Sequence, residues 1–344
     1  MRRADFDDIL FRKAAATGAR TLEGCQVKRM SFDDEGATVD AVLDDGSTQR
    51  WRARFVVDAS GRDTLLAAQN QCKQKNRKHN SAALFGHYRG AERLPGRREG
   101  NISIFWFQHG WFWFIPLADA STSVGAVCCP SYLKQRGKAL AEFLADTIAL
   151  APELARRLKD ATLIDGQVWA TGNHSYCADR CAGERFVMLG DAYASIDPVF
   201  SSGVYLAMQS AFDGAEAVAA ALDRPAAYLA ACRRFKRRMR HGPRRFSWFI
   251  HRMTNPMMRG LFMHPAKPLR MQEAVVSLLA GDIHGKTPVW TSLALFKGVY
   301  HLSSLAALPR TWRTWRAWRA WRQRRQLIRD VGAVQGENVI VAKP

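Results

Sequence analysis

Two short apolar runs, each ending at an aspartate and a turn of small residues, constrain this chain most. The first is "RFVVDASG", residues 54 to 61, and the second opens "RFVMLGDAYASIDPVFSSGVYLAM", residues 185 to 208. Strands that are apolar without alternation are buried on both faces, as in parallel sheets covered by helices. In the second segment Phe186 to Leu189 reads as strand and Gly190-Asp191 as a tight turn. A helix with apolar residues at helical spacing then starts near Ser201 or Ser202 and runs to 222.

Open α/β folds bind ligands just beyond the carboxyl ends of such strands. The helix N-terminus offers unpaired N–H groups and the positive end of a dipole. Gly203 allows close approach to the backbone, and Pro198 fixes the chain direction ahead of the helix. An anionic or electron-rich group, such as a phosphate or a flavin pyrimidine edge, suits this turn. On local chemistry alone, a helix with a serine N-cap and a glycine in its first turn explains the residues equally well.

The remaining chain divides around these runs. Phe6, Ile9, Leu10 and Ala14 recur at helical spacing, with Gly18 as a stop. Residues 20 to 58 alternate as strands, and Asp45-Gly46 marks a hairpin turn. Residues 81 to 129 read as antiparallel strands, 132 to 158 as helix broken at Pro152, and "IDGQVWATG" as a further strand. The expected architecture is α/β: an incomplete Rossmann-like layered domain with an inserted antiparallel sheet and a helical C-terminal region. Its parts are residues 1–80 and 176–223 for the layered domain, 81–175 for the inserted sheet, and 224–344 for the C-terminal region.

Charge is concentrated in that last part. The chain carries a net charge of +20, and residues 224 to 330 alone hold 23 Lys and Arg against 3 Asp and Glu. A basic region on a neutral body implies an anionic partner. Near the end, "TWRTWRAWRAWRQRR" repeats Trp every third residue, each followed by Arg. Such a helix suits either packing on the body or contact with a membrane surface over 310–329. No nucleic-acid motif accompanies the charge, so no nucleic-acid partner is expected. The seven cysteines form no CxxC pair, and Cys177 with Cys181 lacks the second pair a zinc site needs. Reduced thiols, an N-terminus without an apolar signal core and no 18-residue apolar stretch lead to a cytoplasmic expectation, peripheral at most to a membrane.

Taken together, "GDAYASIDPVFSSGVYLAM" resembles the second FAD-binding motif of the flavoprotein monooxygenase superfamily, and "VVDASG" resembles its partner segment. "WFWFIP", Trp111 to Pro116, matches the WxWxIP signature of flavin-dependent halogenases, the tryptophan halogenase-like branch. Alternation puts Trp111 and Trp113 on one face of that strand and Phe112 and Phe114 on the other. The resemblance covers roughly residues 1 to 250. It implies FAD as cofactor, held by Asp58, Gly61, Gly190, Asp191, Asp197, Pro198, Ser202 and Gly203, with Trp111, Trp113, Ile115, Pro116 and Phe200 as motif residues on the substrate side. It further implies a flavin reductase partner, a flavin C4a-hydroperoxide and an electron-rich aromatic substrate. Phe200 stands where halogenases of free tryptophan carry glutamate, so "DPVFSSGV" looks like the phenol and pyrrole branch. Substrates of that branch are often tethered to acidic carrier proteins, which the basic region would dock by charge.

One expected element is missing. No G-x-G-x-x-G occurs, although in the family it lies at the start, on the first βα turn, and seats the FAD pyrophosphate. The family's catalytic lysine belongs to that same portion, so no catalytic residue is named. Lys73, Lys75 and Lys78 follow the "DASG" segment and do not match it. The expectation is that Met1 is an internal residue of a longer enzyme. A hydroxylase or reductase of the same fold, or a non-catalytic basic subunit, are the competing readings.

Overall fold

The computed structural model describes residues 2–76, 81–172, 175–196, 201–250, 270–282 and 290–304, together with Arg252, Met258 and Leu261. It forms two compact units, 1–251 and 252–344. The first begins with helix α1 (Arg3–Ala16), braced by Arg3–Asp7 and Arg12–Asp8 pairs one turn apart and ended at Gly18, whose φ is +97°. It buries none of its residues, and Ile9 and Leu10 stand in solvent.

Strands β1 (Cys25–Phe32), β2 (Ala37–Leu43) and β3 (Thr48–Ala53) make an antiparallel meander. Gly46, at φ +80°, supplies the left-handed residue its second turn needs. The chain then enters β4 (Val56–Asp58), the short helix α2 (Leu65–Gln69) and β5 (Lys73–Lys75).

An antiparallel sheet follows, built from β6 (Ala82–Arg89), β7 (Ser103–Phe107), β8 (Gly110–Pro116) and β9 (Thr122–Cys128). Helices α3 (Pro130–Leu133), α4 (Leu140–Ala149) and α5 (Pro152–Arg157) come next, two of them started by a proline at the first position. Strand β10 (Thr162–Gly172) completes the sheet in the order β10-β6-β9-β8-β7. One face of this sheet is the core. Phe112, Phe114, Leu144 and Leu154 are fully buried there, each side chain worth about 1.5–3 kcal/mol. Arg157 closes the packing with its guanidinium 3.9 Å from the Phe114 ring centre.

The layered part resumes with β11 (Tyr176–Ala178), β12 (Phe186–Met188) and β13 (Ala194–Ser195), and then the long helices α6 (Gly203–Asp223) and α7 (Pro225–Ile250). Strand β12 pairs with β4 in parallel, with Phe186 opposite Val56 and Met188 opposite Asp58. The two apolar runs are therefore neighbours, as their patterning requires. Strand β11 lies between β13 and β5 in a small antiparallel sheet.

Helix α7 departs from the expected division at residue 224. Its apolar stripe, including Cys232, Phe235 and Met239, joins the core of Val187, Met188 and Ala217. Arg238 pairs with the buried Asp213 of α6 at 2.6 Å. The basic helix thus belongs to the first unit.

In the second unit, α8 (Met271–Leu279) buries Ala274, Val275 and Leu278. Residues 290–304 are helical and bury Leu293, Phe296 and Tyr300. Among the described residues no helix is long and apolar enough to cross a membrane. The Trp-Arg tail, including 310–329, lies outside the described residues.

Candidate functional site

Parallel pairing carries both turns to one edge of the two-stranded sheet. Leu189 N–H donates to the Asp58 carbonyl at 2.9 Å, so the chains leave the sheet together. Asp58 is 1% exposed, and its carboxylate is fully engaged in its own turn. Oδ1 accepts the N–H of Ser60 and Oδ2 that of Leu66, both at 2.9 Å. Its role is to shape the turn, with both oxygens taken by backbone. Gly61 sits at φ +62° with open space where a Cβ would stand.

The turn after β12 is built differently. Gly190 lies at φ +50°, and a Cβ there would come within 3.0 Å of the Ala207 methyl on α6. Glycine is thus what lets the helix press against the turn. The contact is fixed by Ser210, whose hydroxyl accepts the Gly190 N–H at 2.9 Å and donates to the Ala207 carbonyl at 2.6 Å. Asp191 follows, with its backbone carbonyl accepting the Tyr176 hydroxyl at 2.9 Å. Burial raises the pKa of its carboxyl, opposed by a hydrogen bond from Ser195 and by the positive charges of Arg62 and Arg3. Unlike Asp58, this carboxylate is committed to no backbone N–H among the described residues.

Helix α6 begins over the same turn. Ser202 is 7% exposed and takes the N-cap position, yet among the described residues its hydroxyl makes no cap bond and has no hydrogen-bond partner. A buried hydroxyl without a partner is costly unless a ligand group meets it. Gly203 next to it leaves open space, among the described residues, where a Cβ would stand. Asp197, Pro198 and Phe200, the remaining expected residues of this segment, lie outside the described residues.

The WxWxIP strand is β8. Phe112 and Phe114 face the core, and Trp111 and Trp113 face the other side of the sheet. One cross-strand row on that side runs Trp169, Phe85, Gly125, Trp113, Ile104. Gly125 is the hinge of the row, because a Cβ there would sit 2.2 Å from the Trp113 ring. Its absence lets the indole lie across β9, where its Nε1 donates to Ser123 at 3.1 Å. Phe85 then stands 5.9 Å from Trp113 and stacks on Trp169 at 5.5 Å between ring centres. Trp169 and Ile104 are exposed, so the row is an aromatic surface open to solvent. Ile115 and Pro116 end β8, opposite Ser123 and Thr122.

Arg62 connects this surface to the turns. From the loop after β4 it donates to the Thr171 hydroxyl and the Gly172 carbonyl at the end of β10. Sequence patterning did not single out Arg62, Phe85, Gly125 or Trp169, since their roles depend on contacts between distant strands. Among the described residues no cluster of His, Cys, Asp and Glu could hold a metal ion.

Two strand–turn units sharing one edge, with an aromatic antiparallel sheet beside them, define a flavoprotein-type α/β fold. A flavoprotein/dehydrogenase from Cytophaga hutchinsonii shares that fold, with a TM-score of 0.77 at 22% identity over 89% of this chain and 75% of that one. The family is given by sequence: the model described as Tryptophan halogenase matches residues 1–256, and the chain belongs to that family. It is 34% identical over 248 residues to the flavin-dependent halogenase armH3 of Armillaria mellea, covering 64% of this chain and 48% of that protein. A triple mutant of the flavin-dependent brominase Bmp2 is similar in structure, with a TM-score of 0.76, 28% identity, and 88% and 76% of the two chains covered. The chain spans about half the length of the curated relatives it matches.

Proposed function

We propose that this chain supplies the flavin-facing turns and the substrate-side sheet of an FAD-dependent halogenase acting on an electron-rich aromatic ring. The observation that carries this reading is the shared edge of β4 and β12, with the orphaned Ser202 hydroxyl and the open Gly203 backbone at the head of α6. These residues fit a flavin. Its ring carbonyls and phosphates need N–H and hydroxyl donors and a backbone that permits close approach. Gly61, Gly190, Asp191, Ser202 and Gly203 would hold it, and Asp58 would set the shape of the first turn. When bound and reduced by a partner flavin reductase, FAD would activate O₂, the oxidant that converts halide to an electrophilic halogen.

What the chain's own residues contribute is placement. Asp191, buried and partly countered by Arg62, offers a carboxylate that a ribityl hydroxyl can satisfy. The row from Trp169 to Trp113 offers a flat aromatic surface on which a substrate ring can stack. Arg62 keeps that surface at a fixed distance from the turns, which is how a positioned ring meets a short-lived oxidant. The basic face of α7 suits an acidic carrier protein bearing the substrate.

The test is product mass. The protein, reduced FAD, O₂ and bromide are incubated with a panel of phenols, pyrroles and indoles. A product with the bromine isotope doublet, absent without bromide, supports the reading. Oxygen insertion that ignores halide assigns a hydroxylase instead.

A further inference from the structure

We propose that a cavity between α7 and the β5–β11–β13 sheet binds an organic phosphate, its phosphoryl group gripped by Arg240 and Arg244. The cavity has a volume of about 580 Å³, within the range of small-molecule sites. Its lining also reaches Tyr176 and Ser195, the residues that meet Asp191. Tyr176 points its hydroxyl to Asp191, and in β11 the neighbouring residue, Cys177, must point the opposite way. The row Gln74, Cys177, Ala194 therefore forms one wall, and Arg240, Arg244 and Ser247 of α7 form the other.

The arginines are placed for a ligand. Residues 240 and 244 are one helical turn apart and share a side of α7. Arg238, two residues away, is held by Asp213 at 2.6 Å and Glu216 at 3.4 Å. Neither Arg240 nor Arg244 meets a carboxylate among the described residues. The one acid in the lining, Asp179, is engaged by the side-chain amide of Gln74. Two guanidinium forks beside serine hydroxyls match the several oxygens of a phosphoryl group better than a single carboxylate. The volume of the cavity leaves room for the organic part. None of this depends on the flavin reading, because it is argued from the cavity and its two arginines alone.

Cys177 reports on occupancy. Solvent reaches it, and it lies beside both arginines. Burial is the main cause that pushes its thiol pKa up, so alkylation is run at mildly alkaline pH. The full chain is treated with iodoacetamide, and Cys177 labelling is followed by peptide mass spectrometry with ADP, phosphopantetheine, pyrophosphate or benzoate present. The expected result is labelling slowed about fivefold or more by ADP or phosphopantetheine. Protection by ADP alone assigns a nucleotide, and protection by phosphopantetheine alone assigns the arm of a carrier protein. Equal protection by both and by pyrophosphate assigns the affinity to the phosphoryl group itself. Arg240→Gln with Arg244→Gln abolishes protection, while Arg233→Gln, exposed on the same helix outside the cavity, leaves it intact. Should the double glutamine variant unfold, the double lysine variant carries the test. It keeps the charge, loses the forks and protects about tenfold more weakly. The proposal is overturned if no phosphate protects, if benzoate protects equally, or if protection survives either double variant unchanged.

Discussion

The Leu189 N–H bonded to the Asp58 carbonyl at 2.9 Å is the last rung of the parallel ladder before both chains turn away. Beyond that rung Asp58 spends its carboxylate on two backbone N–H groups of its own loop, while the carboxylate of Asp191 is left for Ser195 and Arg62. Two aspartates at equivalent places thus have different work, one holding a turn and the other facing the edge.

Asp58→Ala removes two charge-assisted bonds from a buried site and leaves two N–H groups unsatisfied. The expected loss is about 3 kcal/mol in urea unfolding, with Asp58→Asn losing about half as much because its amide oxygen keeps one bond.

Asp191 gives a pH signature. Its folded pKa is raised above the unfolded value of 3.8, chiefly by burial. Between those two pKa values the folded chain binds more protons than the unfolded one, so stability falls as pH rises through the folded pKa. Asp191→Asn has no such penalty. The variant is expected to unfold at higher urea than the parent at pH 7, with the difference gone once the pH is below the unfolded value. A variant less stable than the parent at pH 7 contradicts this assignment.

Much of this arrangement was legible in the chain. The uninterrupted apolar runs at 55–57 and 186–189 read as buried parallel strands, and they pair as such. Alternation in "WFWFIP" divided its aromatics between two faces correctly, because a strand has no other choice. Less was legible where a residue acts through a distant partner. Nothing local marks Gly125 as the seat of the Trp113 indole, or Arg62 as a clasp on Thr171. The division placed at residue 224 followed the end of the 201–222 helix and the basic, helical pattern after Pro225. It missed that Phe235 and Met239 carry an apolar stripe into the first unit, with Asp213 waiting for Arg238.

Gly125→Ala tests the aromatic row. The added methyl collides with the Trp113 ring at 2.2 Å, and the ring has Phe85 behind it. The indole must lift from β9 and lose its bond to Ser123. Near-ultraviolet circular dichroism is expected to lose intensity, with about 1–3 kcal/mol lost in stability. A spectrum identical to the parent would show that the ring does not lie across β9.

The central claim is that the head of α6 and the two turns beneath it hold a flavin, and FAD titration of the full chain against Gly203→Leu tests it most directly. A Cβ at 203 would meet nothing within 4 Å among the described residues, so the variant is expected to fold as the parent does while its leucine fills the place of the ring. Saturable quenching of flavin fluorescence by the parent, weakened about tenfold or more in the variant, is the predicted result. Equal affinity in both, or no saturable binding by the parent, contradicts it.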